Sequence, residues 1–368
     1  MFRRLAPLFK LVAAILLTLV LADAVVYRSG LYARLIEPES TAGTLLGGVR
    51  AARHFRDPAR KNVLVLGNSQ VGLGFSAPTA DAASGRPDLH FINASVAGTS
   101  PRVWNYQLRE ADPEANRYAA IVMMVAYDSF GLQVDPANNP LDTSYVTPIL
   151  RLSDLADFPA SFHVEDQRER ARRAILLPLQ ALHEDVRAFL ANPFERLHKV
   201  SKYWPRWLAD VAEYRARNES VPELAIEPDS GQPRSWENCP EDLRGGLRDY
   251  FAALHTGSYA TPALQAAGDA YLREWVGRIA SRYRSNGVPT IVFVVPRGPF
   301  HRQLAPLPVP SGAIAYLIAR GEILALPGDA FVTLEQPQFF FDQLHMNHAG
   351  QERFSVLFAQ KIAALVAH

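Results

Sequence analysis

Cysteine is almost missing from this chain. A single residue of that type, Cys239, occurs among 368, so neither an intrachain disulfide framework nor a multi-cysteine metal site is available. Cys239 therefore reads as a small buried side chain. An excess of one charge is missing too: 38 lysines and arginines face 37 aspartates and glutamates, leaving a formal net charge of +1. Without a global field to attract phosphates, no nucleic-acid partner is expected. No glycine-rich phosphate loop follows any apolar run, which argues against a nucleotide-binding protein. Internal repeats and low-complexity tracts are also lacking. What is present is apolar mass, 48% of residues, enough to fill the core of one large domain or two smaller ones.

The first long apolar stretch lies at the N-terminus. Arg3, Arg4 and Lys10 precede residues 11–22, and the apolar character continues past Asp23 through Tyr27. Counted from Leu8 this is about twenty residues, enough for a helix across a hydrocarbon core, with the cations on the cytoplasmic side. Residues 1–28 are therefore expected to form a single-pass anchor that leaves the rest of the chain outside. A cleavable signal peptide ending near Ala22-Asp23-Ala24 is the competing reading, and a buried N-terminal helix the third. The apolar run extends beyond that small-x-small site, which favours the uncleaved anchor.

Residues 29–60 read as a tether with a short helix near 45–55, and the fold proper is expected over 61–368. Three compact apolar runs, 62–66, 89–93 and 119–126, alternate with helical patterns; the second helix opens at Ser100-Pro101, an N-cap followed by proline at the first helical position. The same order returns late in the chain: a helix over 271–286 ended by Gly287, a strand over 290–295, a helix over 314–324, a strand over 330–334 and a closing helix over 350–366. Five apolar strands alternating with helices predict an α/β fold with a five-stranded parallel sheet covered on both faces. Residues 131–257 lack strand patterns and read as a mostly helical insertion. Within it, the charges at 165–173 read as a solvated helix face rather than an anion site.

Ligands of open parallel sheets sit beyond the carboxyl ends of strands, so the serine in Gly67-Asn68-Ser69-Gln70, just after the first run, stands at the functional edge. On its own this segment also describes an ordinary turn. The C-terminal segment Asp342-Gln343-Leu344-His345 supplies what a serine nucleophile needs: an imidazole to take its proton and a carboxylate to fix that ring's tautomer. His348 is a rival base placed inside the first turn of the last helix, with Asn347 as that helix's N-cap. No further ligand cluster accompanies the two histidines, so neither a metal nor a cofactor is called for.

The three blocks Gly67-Asn68-Ser69-Gln70, Asn93-Ala94-Ser95-Val96-Ala97-Gly98 and Asp342-Gln343-Leu344-His345 together resemble the SGNH (GDSL-like) hydrolase superfamily. The resemblance runs from about Asn62 to the C-terminus, interrupted by the insertion. It implies a flavodoxin-like three-layer sandwich, Ser69 as nucleophile, His345 as general base, Asp342 as its orienting acid, and the N–H groups of Ser69 and Gly98 as oxyanion donors. One block departs from the family pattern. Where many members carry glycine-x-asparagine after the third strand, this chain has Val125-Ala126-Tyr127-Asp128-Ser129-Phe130. An ionised Asp128 cannot donate a hydrogen bond, which leaves Asn105 or Ser129 as side-chain candidates for a further donor.

Asp128, Asn105, Arg297 and His301 are the candidate substrate-binding residues; Arg297 and His301 follow the fourth strand at the same edge. An anchor, an exported catalytic part and a helical insertion are similar in architecture to the polysaccharide O-acetylation proteins and the teichoic-acid D-alanyl transfer protein. That likeness implies an acylated glycan substrate, a membrane-bound O-acyltransferase partner, and residence in the bacterial inner membrane with the catalytic part periplasmic or extracellular. The alternative from another class is a non-catalytic scaffold of the same fold that binds a glycan or the membrane enzyme.

Overall fold

The computed structural model describes residues 2–125, 135–227, 229–256, 261–304 and 307–366. The chain divides into two compact units, Met1–Gly47 with Pro140–Trp207, and Gly48–Asn139 with Leu208–His368. This division cuts the segment expected as one insertion: its first part groups with the N-terminal residues, and everything from Leu208 belongs with the sheet.

The second unit is built on five parallel strands, β1 (Lys61–Leu66), β2 (Leu89–Asn93), β3 (Ala120–Met124), β4 (Thr290–Phe293) and β5 (Leu324–Ala325), in the order β2-β1-β3-β4-β5. Because both faces are covered, the strands are apolar almost throughout; in β1 every residue after Lys61 is buried. The chain leaves β1 toward β2 on one side and returns past it to β3 on the other. Right-handed crossovers then put the intervening helices on opposite faces. The packing agrees: the Ala77–Ala83 helix meets the C-terminal His348–Leu365 helix, while the Pro262–Arg284 helix meets those of Pro101–Ala111 and Gly312–Ala319. The reversal at β1 marks the carboxyl ends of β1 and β3 as the edge where ligands of such sheets bind.

On the Ala77–Ala83 face a cluster of rings welds the last helix to the sheet, with Phe358 4.9 Å from both Phe75 and Phe293, and Phe354 4.8 Å from Phe331. Edge and tilted ring pairs of this kind add to the burial of large apolar area. Two helix starts obey local rules visible in the sequence. Pro101 takes the first position after Ser100, and Asn347 accepts the Gly350 N–H at 3.0 Å as the cap of the last helix.

The fifth strand is a correction. Residues 330–334 do not extend the sheet; Val332–Leu334 is a 3₁₀ turn, with the Leu334 N–H bonded to the Phe331 carbonyl at 2.9 Å, and the edge strand is Leu324–Ala325. Phe331, Val332 and Leu334 are buried all the same. An apolar run bounded by turn residues reports burial, and here a tight turn achieves it as well as a strand would.

The first unit contains the Phe2–Ala22 helix, a π-helical turn Asp23–Arg28, and helices that include Pro140–Val146, Glu165–Leu176, Pro178–Ala181 and His183–Ala191. Within it, residues Lys10–Arg28 make one helical stretch long and apolar enough to cross a membrane, with none of it buried in the protein. The charged 165–173 segment is a helix face whose arginines pair along it, Arg172 with Glu165 at 2.7 Å and Arg173 with Glu169 at 3.6 Å.

Candidate active site

β1 ends at Leu66, and Gly67 turns the chain. A Cβ at Gly67 would lie 2.4 Å from Val71 Cγ2, so only glycine lets the following helix, Ser69–Gly74, fold back so closely. Asn68 caps that helix, its Oδ1 accepting the Gln70 N–H at 2.9 Å. Ser69 is thus the first helical residue. Its N–H has no intrahelical acceptor, as the geometry of a helix start requires, and among the described residues it donates to nothing else.

The other two members come from the loop ahead of the last helix. Asp342 Oδ1 accepts the N–H groups of Leu344 at 2.8 Å and His345 at 2.6 Å, which closes the loop on itself. Its Oδ2 lies 2.8 Å from His345 Nδ1, and His345 Nε2 lies 2.9 Å from Ser69 Oγ. With Asp342 ionised, Nδ1 carries the ring proton and Nε2 is left to accept from the serine hydroxyl. Burial by itself would raise the Asp342 pKa, but the His345 ring and the two N–H donors outweigh it and hold the carboxyl below its ordinary value. Ser69 is half-buried, and the Asp342 and His345 side chains keep 21% of their surface exposed, so the alcohol is neither entombed nor loose.

Gly98 stands in a left-handed turn at φ 72°, a conformation open to glycine at little cost, and its N–H has no acceptor among the described residues. That turn is pinned to the Ser69 turn. The Gly67 carbonyl accepts the Val96 N–H at 3.0 Å and the Thr99 hydroxyl at 3.3 Å, and Trp104 Nε1 donates to that hydroxyl at 2.8 Å. Asn93 adds a second tie: its Nδ2 donates to the Phe75 carbonyl at 3.0 Å, and its Oδ1 accepts from Ser95 N at 3.1 Å. The Ser69 and Gly98 N–H groups thus belong to turns that share hydrogen bonds.

The structure adds residues that spacing alone did not single out. The Phe341 ring stacks on the His345 imidazole, 13° from parallel with centroids 5.7 Å apart, and the Arg217 guanidinium lies 5.3 Å above the Phe341 ring. Phe341 N–H also bonds the His345 carbonyl at 3.0 Å. Gly350 lets the last helix press on the loop, since a Cβ there would meet the Phe339 carbonyl oxygen at 2.2 Å. A phenylalanine next to an aspartate-x-x-histidine was the only sequence trace of the stack.

Of the substrate-binding candidates, Asp128 lies outside the described residues, as does Ser129. Asn105 sits half-buried on the Pro101–Ala111 helix, with no hydrogen bond to the triad among the described residues. Arg297 and His301 are both buried. Arg297 is buried and grips Glu335 with both ends of its fork, Nε to Oε1 at 2.8 Å and Nη2 to Oε2 at 2.9 Å, while its own N–H donates to Oε1 at 3.0 Å. A guanidinium held in this way supports the loop after β4. Next to it, Gly298 leaves no room for a Cβ, which would meet the Gln343 carbonyl oxygen at 2.9 Å, so the supported loop lies directly against the one that carries Asp342 and His345.

His301 is 1% exposed. The Tyr250 hydroxyl, which accepts the Phe300 N–H at 3.1 Å, lies 2.8 Å from His301 Nδ1 and donates to it when the ring is neutral. Burial, aided by the Arg297 charge, pushes the His301 pKa down to about 3. The unfolded chain protonates near the ordinary value of about 6.5, so between these limits it binds the extra proton. Stability is therefore lost on acidification through that window, at up to about 1.4 kcal/mol per pH unit. His90, raised by its hydrogen bond to Asp81, contributes stability that is full below about pH 6.5 and lost above it, outside that window. Urea titrations at pH 7 and pH 5 should show the loss in the native chain and a flatter dependence in His301→Asn. An equal slope in both would refute the assignment.

Chemically, the arrangement offers a nucleophilic alcohol, a base oriented by a carboxylate, and two N–H donors on adjoining turns. Comparison of the sequence with protein-family models and with curated proteins gave no match to either.

Proposed function

We propose that the chain is an exported serine esterase or O-acyltransferase of the SGNH type, held at the bacterial inner membrane by its N-terminal helix and acting on an acylated glycan through an acyl-Ser69 intermediate. The observation that carries this reading is the continuous path from Asp342 Oδ2 through His345 to Ser69 Oγ, with contacts of 2.8 and 2.9 Å. A strand order of β2-β1-β3-β4-β5, with the nucleophile at the reversal point, supports it further.

In the first half-reaction His345 Nε2 takes the Ser69 proton as Oγ attacks the acyl carbonyl. The oxyanion that develops is met by the N–H groups of Ser69 and Gly98, neither of which has another partner among the described residues. Collapse transfers the proton from His345 to the departing alcohol and leaves the acyl group on Ser69. In the second half-reaction His345 deprotonates water, for hydrolysis, or a sugar hydroxyl, for transfer. A membrane-bound O-acyltransferase would be the natural partner for transfer, since it would deliver acyl groups to the same side of the bilayer.

The test is covalent labelling. The full chain in detergent, treated with a fluorophosphonate, is expected to carry one adduct, located at Ser69 by peptide mass spectrometry. A folded sample that stays unlabelled would favour the non-catalytic scaffold.

A further inference from the structure

The point at which the apolar helix joins the first unit is fixed by named contacts. Arg28, the last residue of the candidate span, bonds Asp23 at 2.5 Å and donates from Nη2 to the Ile175 carbonyl at 2.9 Å. Tyr27 and Tyr32 pair with ring centroids 5.2 Å apart, and the Tyr32 hydroxyl donates to Asp185 at 2.6 Å. Residues 175–182 therefore lie one arginine side chain away from the base of the helix. That segment, Ile-Leu-Leu-Pro-Leu-Gln-Ala-Leu, carries no charge. Ile175, Pro178 and Leu182 are buried, whereas Leu176, Leu177 and Leu179 stand 47, 55 and 42% exposed.

Three neighbouring leucines left facing solvent beside the foot of an apolar helix call for an occupant, and continuity with that helix identifies it. We infer that Leu176, Leu177 and Leu179 bed into the interface of the same lipid leaflet from which residue 28 emerges, so that the first unit rests on the bilayer as well as being tied to it. This inference depends on the anchoring reading above. The polar zone of one leaflet is only about 5–8 Å thick, so a turn hydrogen-bonded to the residue at the end of the span lies at headgroup depth. A tyrosine at the end of the span is the residue type enriched at that level. Apolar side chains presented beside a polar face are what an in-plane interfacial segment requires.

The experiment uses the full chain with Cys239→Ala, reconstituted in phosphatidylcholine vesicles and labelled with bimane at Leu177→Cys or, separately, at Leu16→Cys. Nitroxide-bearing lipids quench from either the headgroup or a deep acyl position. The expected result is at least twofold quenching at position 177, stronger from the headgroup nitroxide, together with quenching at position 16 that is stronger from the deep one. Quenching at 16 with none at 177 would leave the anchor standing and overturn the inference, assigning the leucines to a protein surface. Quenching at neither position would overturn both.

Discussion

Replacing Ser69 with alanine is expected to lower kcat/KM for acetyl-ester cleavage by at least about 10⁴-fold, with the unfolding transition unmoved. Ser69 Oγ makes one described hydrogen bond, to His345, and caps no helix, that role belonging to Asn68. Its removal therefore touches chemistry alone. Asp342→Asn provides the matching control. An amide cannot hold the ring proton at Nδ1 with the same preference, and the loss is expected to approach that of the serine variant, about 10⁴-fold. Members of one relay do not add, so the double variant should be about as slow as Ser69→Ala. Wild-type turnover by Ser69→Ala would dismiss the triad. An additive double variant would show that Asp342 acts on something other than the ring.

The second large effect is on stability. Glu335→Ala leaves the Arg297 guanidinium buried without the carboxylate that satisfies three of its hydrogen bonds, backbone N–H included. Breaking a buried pair from one side costs about 3–5 kcal/mol, more than any exposed pair in the molecule is expected to be worth. Thermal unfolding should shift down by on the order of 10 °C. The damage should also reach catalysis, because Gly298, next to Arg297, lies against the Gln343 carbonyl between Asp342 and His345. A lower kcat with a nearly unchanged KM is the expected signature. A stability change below about 1 kcal/mol would mean that water takes over the role of the glutamate.

Much of this was readable in the sequence where local rules govern. β2 is Leu89–Asn93, matching the apolar run at 89–93, and the Pro101–Ala111 helix begins where serine followed by proline says it should. Serine after the first strand and aspartate-x-x-histidine near the end were readable because each obeys a short-range constraint: a turn in one case, a loop closed by its own carboxylate in the other. The meeting of the two was not, since 276 positions separate them and only the folded sheet brings them to 2.9 Å.

The burial of Arg297 and His301 was not legible for the same reason. Their partners, Glu335 and Tyr250, are 38 and 51 residues away, and no local pattern announces them. Residues 330–334 were misread because burial, not extension, is what an apolar run encodes. How residues 131–257 divide between the two units was not legible, because helical periodicity says which residues face inward but not toward which core. The Glu241–Thr256 helix contributes Tyr250 and Phe251 to the same core as the strands.

The order in which the polypeptide is made acquires a meaning here. Translation proceeds from the amino end, so Ser69 emerges 276 codons before His345, and the helix that follows His345 emerges later still. If Ser69 reacts as proposed, a nascent chain is inert toward esters until the helix after His345 has been made, and removal of residues 348–365 should silence the protein while Ser69 remains intact.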